Sequence, residues 1–122
     1  MQTDPRKTDA RSPDPAGTLI IEAMNNSENI ISFGVIGYGY WGPNIARNLM
    51  AVEGSRVRAI AEINTAARAR AQKAYPGVRV TANASELITS PEIDAIAVVS
   101  PVWSHYELAK AALENGKHVF VE

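Results

Sequence analysis

The feature that most limits what this chain can fold into is a glycine-spaced junction between two kinds of periodicity. Residues 30–36 (IISFGVI) form an apolar run, Gly37, Gly39 and Gly42 follow at G-x-G-x-x-G spacing, and Pro43 opens a helical pattern. A strand behind this hexamer and a helix ahead of it are the context a dinucleotide site requires. The first glycine permits a tight turn out of the strand, and the second leaves room for a pyrophosphate against the backbone. The third lets the helix pack close to the sheet. Free N–H groups and the positive end of the helix dipole then face the anion. Pro43 is compatible with a first turn, where its missing N–H has no intrahelical acceptor. Taken alone, the hexamer also reads as a plain strand–turn–helix.

The remainder of the chain repeats the alternation. Strands are expected at 57–61, 78–81, 95–99 and 119–121, with the first at 30–36. The first helix covers 43–51, its apolar face made by Ile45, Ala46, Leu49 and Met50 at helical spacing. The second is capped by Asn64 or Thr65 and stopped by Tyr75-Pro76-Gly77, and its alanine-rich side can sit close on a sheet. Asn83-Ala84-Ser85-Glu86 reads as an N-cap with a third-position glutamate, opening a short helix to Thr89. Ser104-His105-Tyr106-Glu107 reads as a capping box for the last helix, with Leu108, Ala109, Ala112 and Leu113 as its buried stripe and Gly116 as its stop. The run at 95–99 is apolar on both faces, as in a parallel sheet covered on both sides. The expected fold is therefore α/β: a Rossmann-type doubly wound parallel sheet of order 3-2-1-4-5, truncated after the fifth strand. Its ligand crevice would lie between the ends of the first and fourth strands.

Composition narrows the partners. With 122 residues there is room for one domain, and Lys+Arg 12 against Asp+Glu 13 leaves no field to attract nucleic acid or an acidic membrane. The absence of cysteine excludes disulfides, thiolate catalysis and cysteine-bound metal. No apolar run in the sequence reaches the length of a membrane span, and Asp4, Asp9 and Asp14 argue against an acid-poor transit peptide. A cytoplasmic location is the expectation. Residues 1–29 are polar and interrupted by Pro5, Pro13 and Pro15, so they are expected to form a disordered tail before a domain at 30–122. Within that tail Leu19 to Ile21 is a short apolar patch, and Met24 is a candidate translation start.

Two groups of residues carry candidate chemistry. Glu62 ends the second strand, twenty positions after Gly42, where a carboxylate can accept both adenosine ribose hydroxyls and repel a 2′-phosphate. Ile63 beside it offers an apolar surface for adenine. Together they favour NAD over NADP, the alternative being that Glu62 only complements a helix N-terminus. Ser100-Pro101-Val102-Trp103-Ser104-His105 follows the fourth strand, across the crevice, and also reads as an ordinary helix-entry loop. His105 has no second histidine nearby, so no metal site is expected. Trp103 and the Tyr40-Trp41 pair read either as ligand-facing rings or as apolar cover, and His118 reads as structural.

GYGYWGPN, the AEIN after the second strand and the SPVWSHYELAKAALENGKHVFVE block resemble the glucose–fructose oxidoreductase / inositol dehydrogenase (Gfo/Idh/MocA) family. The resemblance covers residues 30–122 and implies the family's N-terminal nucleotide-binding domain; the GYWGPN variant resembles members acting on nucleotide sugars. It implies NAD or NADP as cofactor and a sugar, inositol or related polyol hydroxyl as substrate. It sets Tyr40 and Trp41 beside the pyrophosphate, Glu62 in place of the usual aspartate on the ribose, and Ser100, Pro101 and His105 in the loop below the nicotinamide. Glu122 matches the glutamate of the family's E-K-P segment. With Gly37, Tyr38, Gly39, Gly42 and Ile63, these make the expected cofactor-binding set. The family's lysine would be residue 123, and its substrate domain would follow. The chain is thus expected to be a fragment that binds NAD, contributes no catalytic residue or metal ligand, and does not turn over by itself. The resemblance implies no particular oligomer. Two other readings fit the same turn: a non-catalytic nucleotide-binding or redox-sensing module, and a methyltransferase-like adenosine-binding domain.

Overall fold

The computed structural model describes residues 29–122, and the compact unit within it is Ile31–Glu122. The expectations for the tail, for Leu19 to Ile21 and for Met24 fall outside the described residues. The elements run β1 (Ile31–Ile36), α1 (Gly42–Ala51), β2 (Ser55–Ala61), α2 (Thr65–Ala74), β3 (Arg79–Thr81), α3 (Ala84–Ile88), β4 (Ala95–Val98), a 3₁₀ turn (Val102–Ser104), α4 (His105–Glu114) and β5 (His118–Val121). All pairings are parallel, in the order β3-β2-β1-β4-β5, which is the order expected from the alternation. Among the described residues no helix is long and apolar enough to cross a membrane.

The inner strands send alternate side chains to two cores, except in β2, where a register shift opposite Phe33 and Gly34 puts Val57 on the same face as Ile60. Val35, Val57, Ile60 and Ala97 pack with Ala46 of α1 and Ala71 of α2 on one face. Ile36, Ala59, Ile96 and Val98 pack with Leu87 and Ile88 of α3 and Ala112 of α4 on the other. Alanine at the closest helix positions is what allows this approach: Ala46, Ala71 and Ala112 are wholly buried. All four residues of β4 are buried, in keeping with its two-sided apolar pattern. Leu113 departs from the expected stripe of α4 and lies 62 % exposed.

Local signals at the helix ends are only partly obeyed. Asn64 caps α2, its side chain accepting from Ala67 N–H at 2.8 Å. Asn83 caps α3 through Ser85 N–H at 3.0 Å, but Glu86 does not close a capping box; its carboxylate pairs with Arg79 of β3. Ser104 makes no cap bond, because the 3₁₀ turn leaves it in helical conformation and its hydroxyl donates to the Pro101 carbonyl at 2.8 Å. Helix α4 therefore starts by continuing a turn rather than from an extended cap.

Lys117 fastens the lower end of the sheet. Its ammonium donates to the carbonyls of Ser90 and Ile93 in the loop before β4, the latter at 2.7 Å, from 24 positions away. Hydrogen bonds to a charged group contribute about 1.5–3 kcal/mol net. Lys117→Met keeps the aliphatic stem and removes the donor, so thermal and urea unfolding should report a loss of about that size. An unchanged midpoint would show that water replaces the ammonium without penalty.

Candidate functional site

The strand order reverses at β1, which has β2 on one side and β4 on the other. The connections leaving the two strands diverge to opposite faces, and a cleft of about 780 Å³ opens above their C-terminal ends. Of the residues expected at a cofactor, Gly37, Gly39, Tyr40, Trp41, Glu62, Ile63, Ser100, Pro101, His105 and Glu122 all line this cleft. Tyr38 and Gly42 do not.

Tyr38 corrects the expectation. Its side chain turns inward, 5 % exposed, into the core with Val35, Ala46 and Ile60. Burial holds its phenol pKa above the ordinary tyrosine value. Gly42 serves packing: a Cβ there would lie 2.4 Å from the Gly37 carbonyl oxygen. Gly37 has φ of +108°, and a Cβ on it would meet the backbone of Val99 and Ser100 at 2.7 Å. Of the three hexamer glycines, Gly39 alone opens on space, with no described atom beyond its chain neighbours within 4 Å of the corresponding position.

That emptiness coincides with unsatisfied donors. Among the described residues, the N–H groups of Gly39, Tyr40 and Trp41 make no hydrogen bond, and they lead straight into α1. Unpaired N–H groups at a helix start are a ready anion site. Among the described residues the cleft lining includes no lysine or arginine, so an anion here would be met by backbone dipoles. The residues present fit a pyrophosphate: a gap where a Cβ would sit, and donors around it.

Glu62 is anchored in two directions. Oε1 accepts Tyr38 N–H at 2.6 Å, and Oε2 accepts Asn64 N–H at 2.8 Å. Each oxygen retains a lone pair for a further donor. Ile63 next to it is 84 % exposed, an apolar surface at the cleft rim.

Across the cleft, the loop after β4 is tied to itself. His105 Nε2 bonds the Ser100 carbonyl, which can only accept, so that nitrogen carries the proton. His105 thus holds the loop. Ser104 gives its one proton to Pro101, so in the 2.7 Å contact between hydroxyls Ser100 is the donor. Ser100 Oγ is left with lone pairs only, able to accept from a ligand amide or hydroxyl. Trp103 also lines the cleft at 82 % exposure, and Tyr40 and Trp41 meet edge to face at 4.9 Å. Asn64, Ala82, Ala84 and Leu108 line it too. In the sequence Asn64 and Ala84 read as helix-opening residues and Leu108 as core, and no signal marks Ala82.

Residues 31–122 match the family described as "Oxidoreductase family, NAD-binding Rossmann fold" (GFO_IDH_MocA). An inositol 2-dehydrogenase from Klebsiella pneumoniae is 40 % identical over 95 residues, which are 75 % of this chain and 28 % of that protein. The crystal structure of scyllo-inositol dehydrogenase from Lactobacillus casei with bound NAD(H) and scyllo-inositol superposes with a TM-score of 0.68 at 30 % identity. That match covers 75 % of this chain and 27 % of the other. Biliverdin reductase from Synechocystis, solved with biliverdin and NADP+, gives 0.70 at 28 % identity, over 75 % and 28 % of the two chains. The chain spans a little over a quarter of the length of these relatives.

Proposed function

The chain belongs to the Gfo/Idh/MocA oxidoreductase family through its NAD-binding Rossmann domain, and from that premise we propose that it holds NAD for hydride exchange with a sugar or polyol hydroxyl. Gly39 carries this reading: the position open to space is the one flanked by unpaired N–H groups. In the proposal, Tyr40 and Trp41 N–H groups bind the pyrophosphate, Glu62 accepts the adenosine ribose hydroxyls, and Ile63 lies under adenine. Ser100 Oγ accepts from the nicotinamide half, in a loop kept in shape by His105. Glu122 lies at the same end of the cleft, at the end of β5. A bound nicotinamide would supply the hydride acceptor or donor. The polyol class is supported by the inositol dehydrogenases among the relatives.

Cofactor choice follows from charge. A 2′-phosphate would meet the Glu62 carboxylate, with no lysine or arginine among the described lining residues to offset it. NADH should therefore bind more tightly than NADPH by at least about fivefold, a penalty of about 1–3 kcal/mol. Trp41 and Trp103, the two tryptophans of the chain, both line the cleft, so their emission reports on occupancy. Titration with NADH, NADPH and S-adenosylmethionine tests the reading. Quenching by NADH first, with the gap to NADPH narrowed in Glu62→Ala, is expected. Equal affinities would remove Glu62 from the ribose, and a response to S-adenosylmethionine alone would replace the oxidoreductase reading with an adenosine-binding one.

A further inference from the structure

We propose that Glu62 is also a positioning residue for the phosphate-binding turn, bracing it through the Tyr38 N–H, with Arg68 holding the glutamate in that pose. The proposal rests on the cofactor reading above and deepens it. Tyr38 lies between the two glycines that shape the turn, yet its N–H is committed to a side chain 24 positions away, at 2.6 Å. A charge-assisted bond of this length is among the stronger ones available to a backbone amide. Its effect is directional. With Tyr38 N–H tied to the end of β2, the three following N–H groups are the ones left without a partner among the described residues, beside the gap at Gly39.

The glutamate is itself held from behind. Glu62 N–H donates to the Thr81 carbonyl at 2.9 Å, fixing the end of β2 against β3. Arg68 then closes the turn: Nη1 donates to the carbonyls of Glu62 and Ile63, each at 2.9 Å, and Nη2 to the Thr65 hydroxyl at 3.3 Å. Arg68 does not line the cleft. Its planar fork can serve these acceptors at once, which an ammonium on a flexible stem does less well. Ribose recognition and phosphate recognition are thereby joined in one carboxylate.

The test separates the two duties by ligand. ADP carries the ribose hydroxyls; 2′,3′-dideoxy-ADP lacks both but keeps the diphosphate. Calorimetric titration of the full chain with each is expected to show Glu62→Ala weakening dideoxy-ADP by about tenfold, the equivalent of a lost charge-assisted bond. The sign is diagnostic, because removing a negative charge near a phosphate would by itself strengthen binding. Glu62→Gln, which keeps one accepting oxygen, should fall between wild type and alanine, and covers the case in which the alanine variant melts early. Arg68→Lys keeps the charge and should weaken both nucleotides by a similar factor of about three to ten. If Glu62→Ala weakens ADP while leaving dideoxy-ADP unchanged or tighter, Glu62 acts on ribose alone and the brace is overturned, with the cofactor reading intact. If neither nucleotide binds the wild-type chain, the cofactor reading fails and the brace with it.

Discussion

Alanine at position 37 should remove much of the domain's stability. Gly37 sits at φ +108°, a conformation that side chains rarely adopt, and the added Cβ would lie 2.7 Å from Val99 C and O and from Ser100 N. All three are backbone atoms at the β4 end, so no rotamer change relieves the contact. Backbone strain of about 1–3 kcal/mol adds to overpacking of about 1–3 kcal/mol. A combined loss of about 2–6 kcal/mol is a large share of the 5–15 kcal/mol typical of a domain. Thermal melting should fall by roughly 8 °C or more. Gly42→Ala should act in the same direction, since its Cβ would collide with the Gly37 carbonyl. A Gly37→Ala protein melting within two degrees of wild type would mean that the turn and β4 do not approach as described.

Valine at position 39 should do the reverse. Nothing lies within 4 Å of the position its Cβ would take, and the backbone there is not in the left-handed region. The fold should therefore melt within a degree or two of wild type. In the proposed binding mode, however, phosphate oxygens take the volume the branched side chain would fill. NADH affinity should drop by at least a hundredfold, about 2.7 kcal/mol, by tryptophan quenching. Normal binding by a folded Gly39→Val would move the phosphates elsewhere in the cleft. Three glycines of one hexamer are thus expected to divide into two that hold the fold together and one that admits the ligand.

Periodicity carried the architecture, and long-range contacts set what it could not reach. Strand order was readable because apolar runs alternate with helical stripes, and β4 declared its burial by being apolar throughout. β2 begins two residues earlier than expected, at Ser55, since pairing with Ile31 recruits polar residues that no hydrophobic pattern marks. Position 38 looked like part of a binding loop, but a turn's sequence does not say which side chains face inward. The ring of Tyr38 goes to the core, and its N–H goes to a glutamate 24 positions later. At Ser104 a local capping signature lost to a 3₁₀ turn after Pro101, which consumes the hydroxyl first. Glu62 was identifiable from spacing to the glycines; its partner Arg68 was not, because three side-chain bonds to one turn leave no pattern in sequence.

The central place of β1 in the sheet has a consequence for how the chain is made. β1 is the earliest of the described strands in the chain, yet its second neighbour is the fourth of them: Ser32 N–H bonds Asp94 across 62 positions. At about 5–20 residues per second, that stretch takes roughly 3–12 s to synthesise. β2 and β3 can add to one flank during this time, while Gly34, Val35 and Ile36 keep an apolar, unpaired flank on the other. A nascent chain is therefore most open to mispairing after its third strand has formed and before Ala95 to Val98 emerges. The arrival of β4 ends that interval by pairing with the free flank of β1.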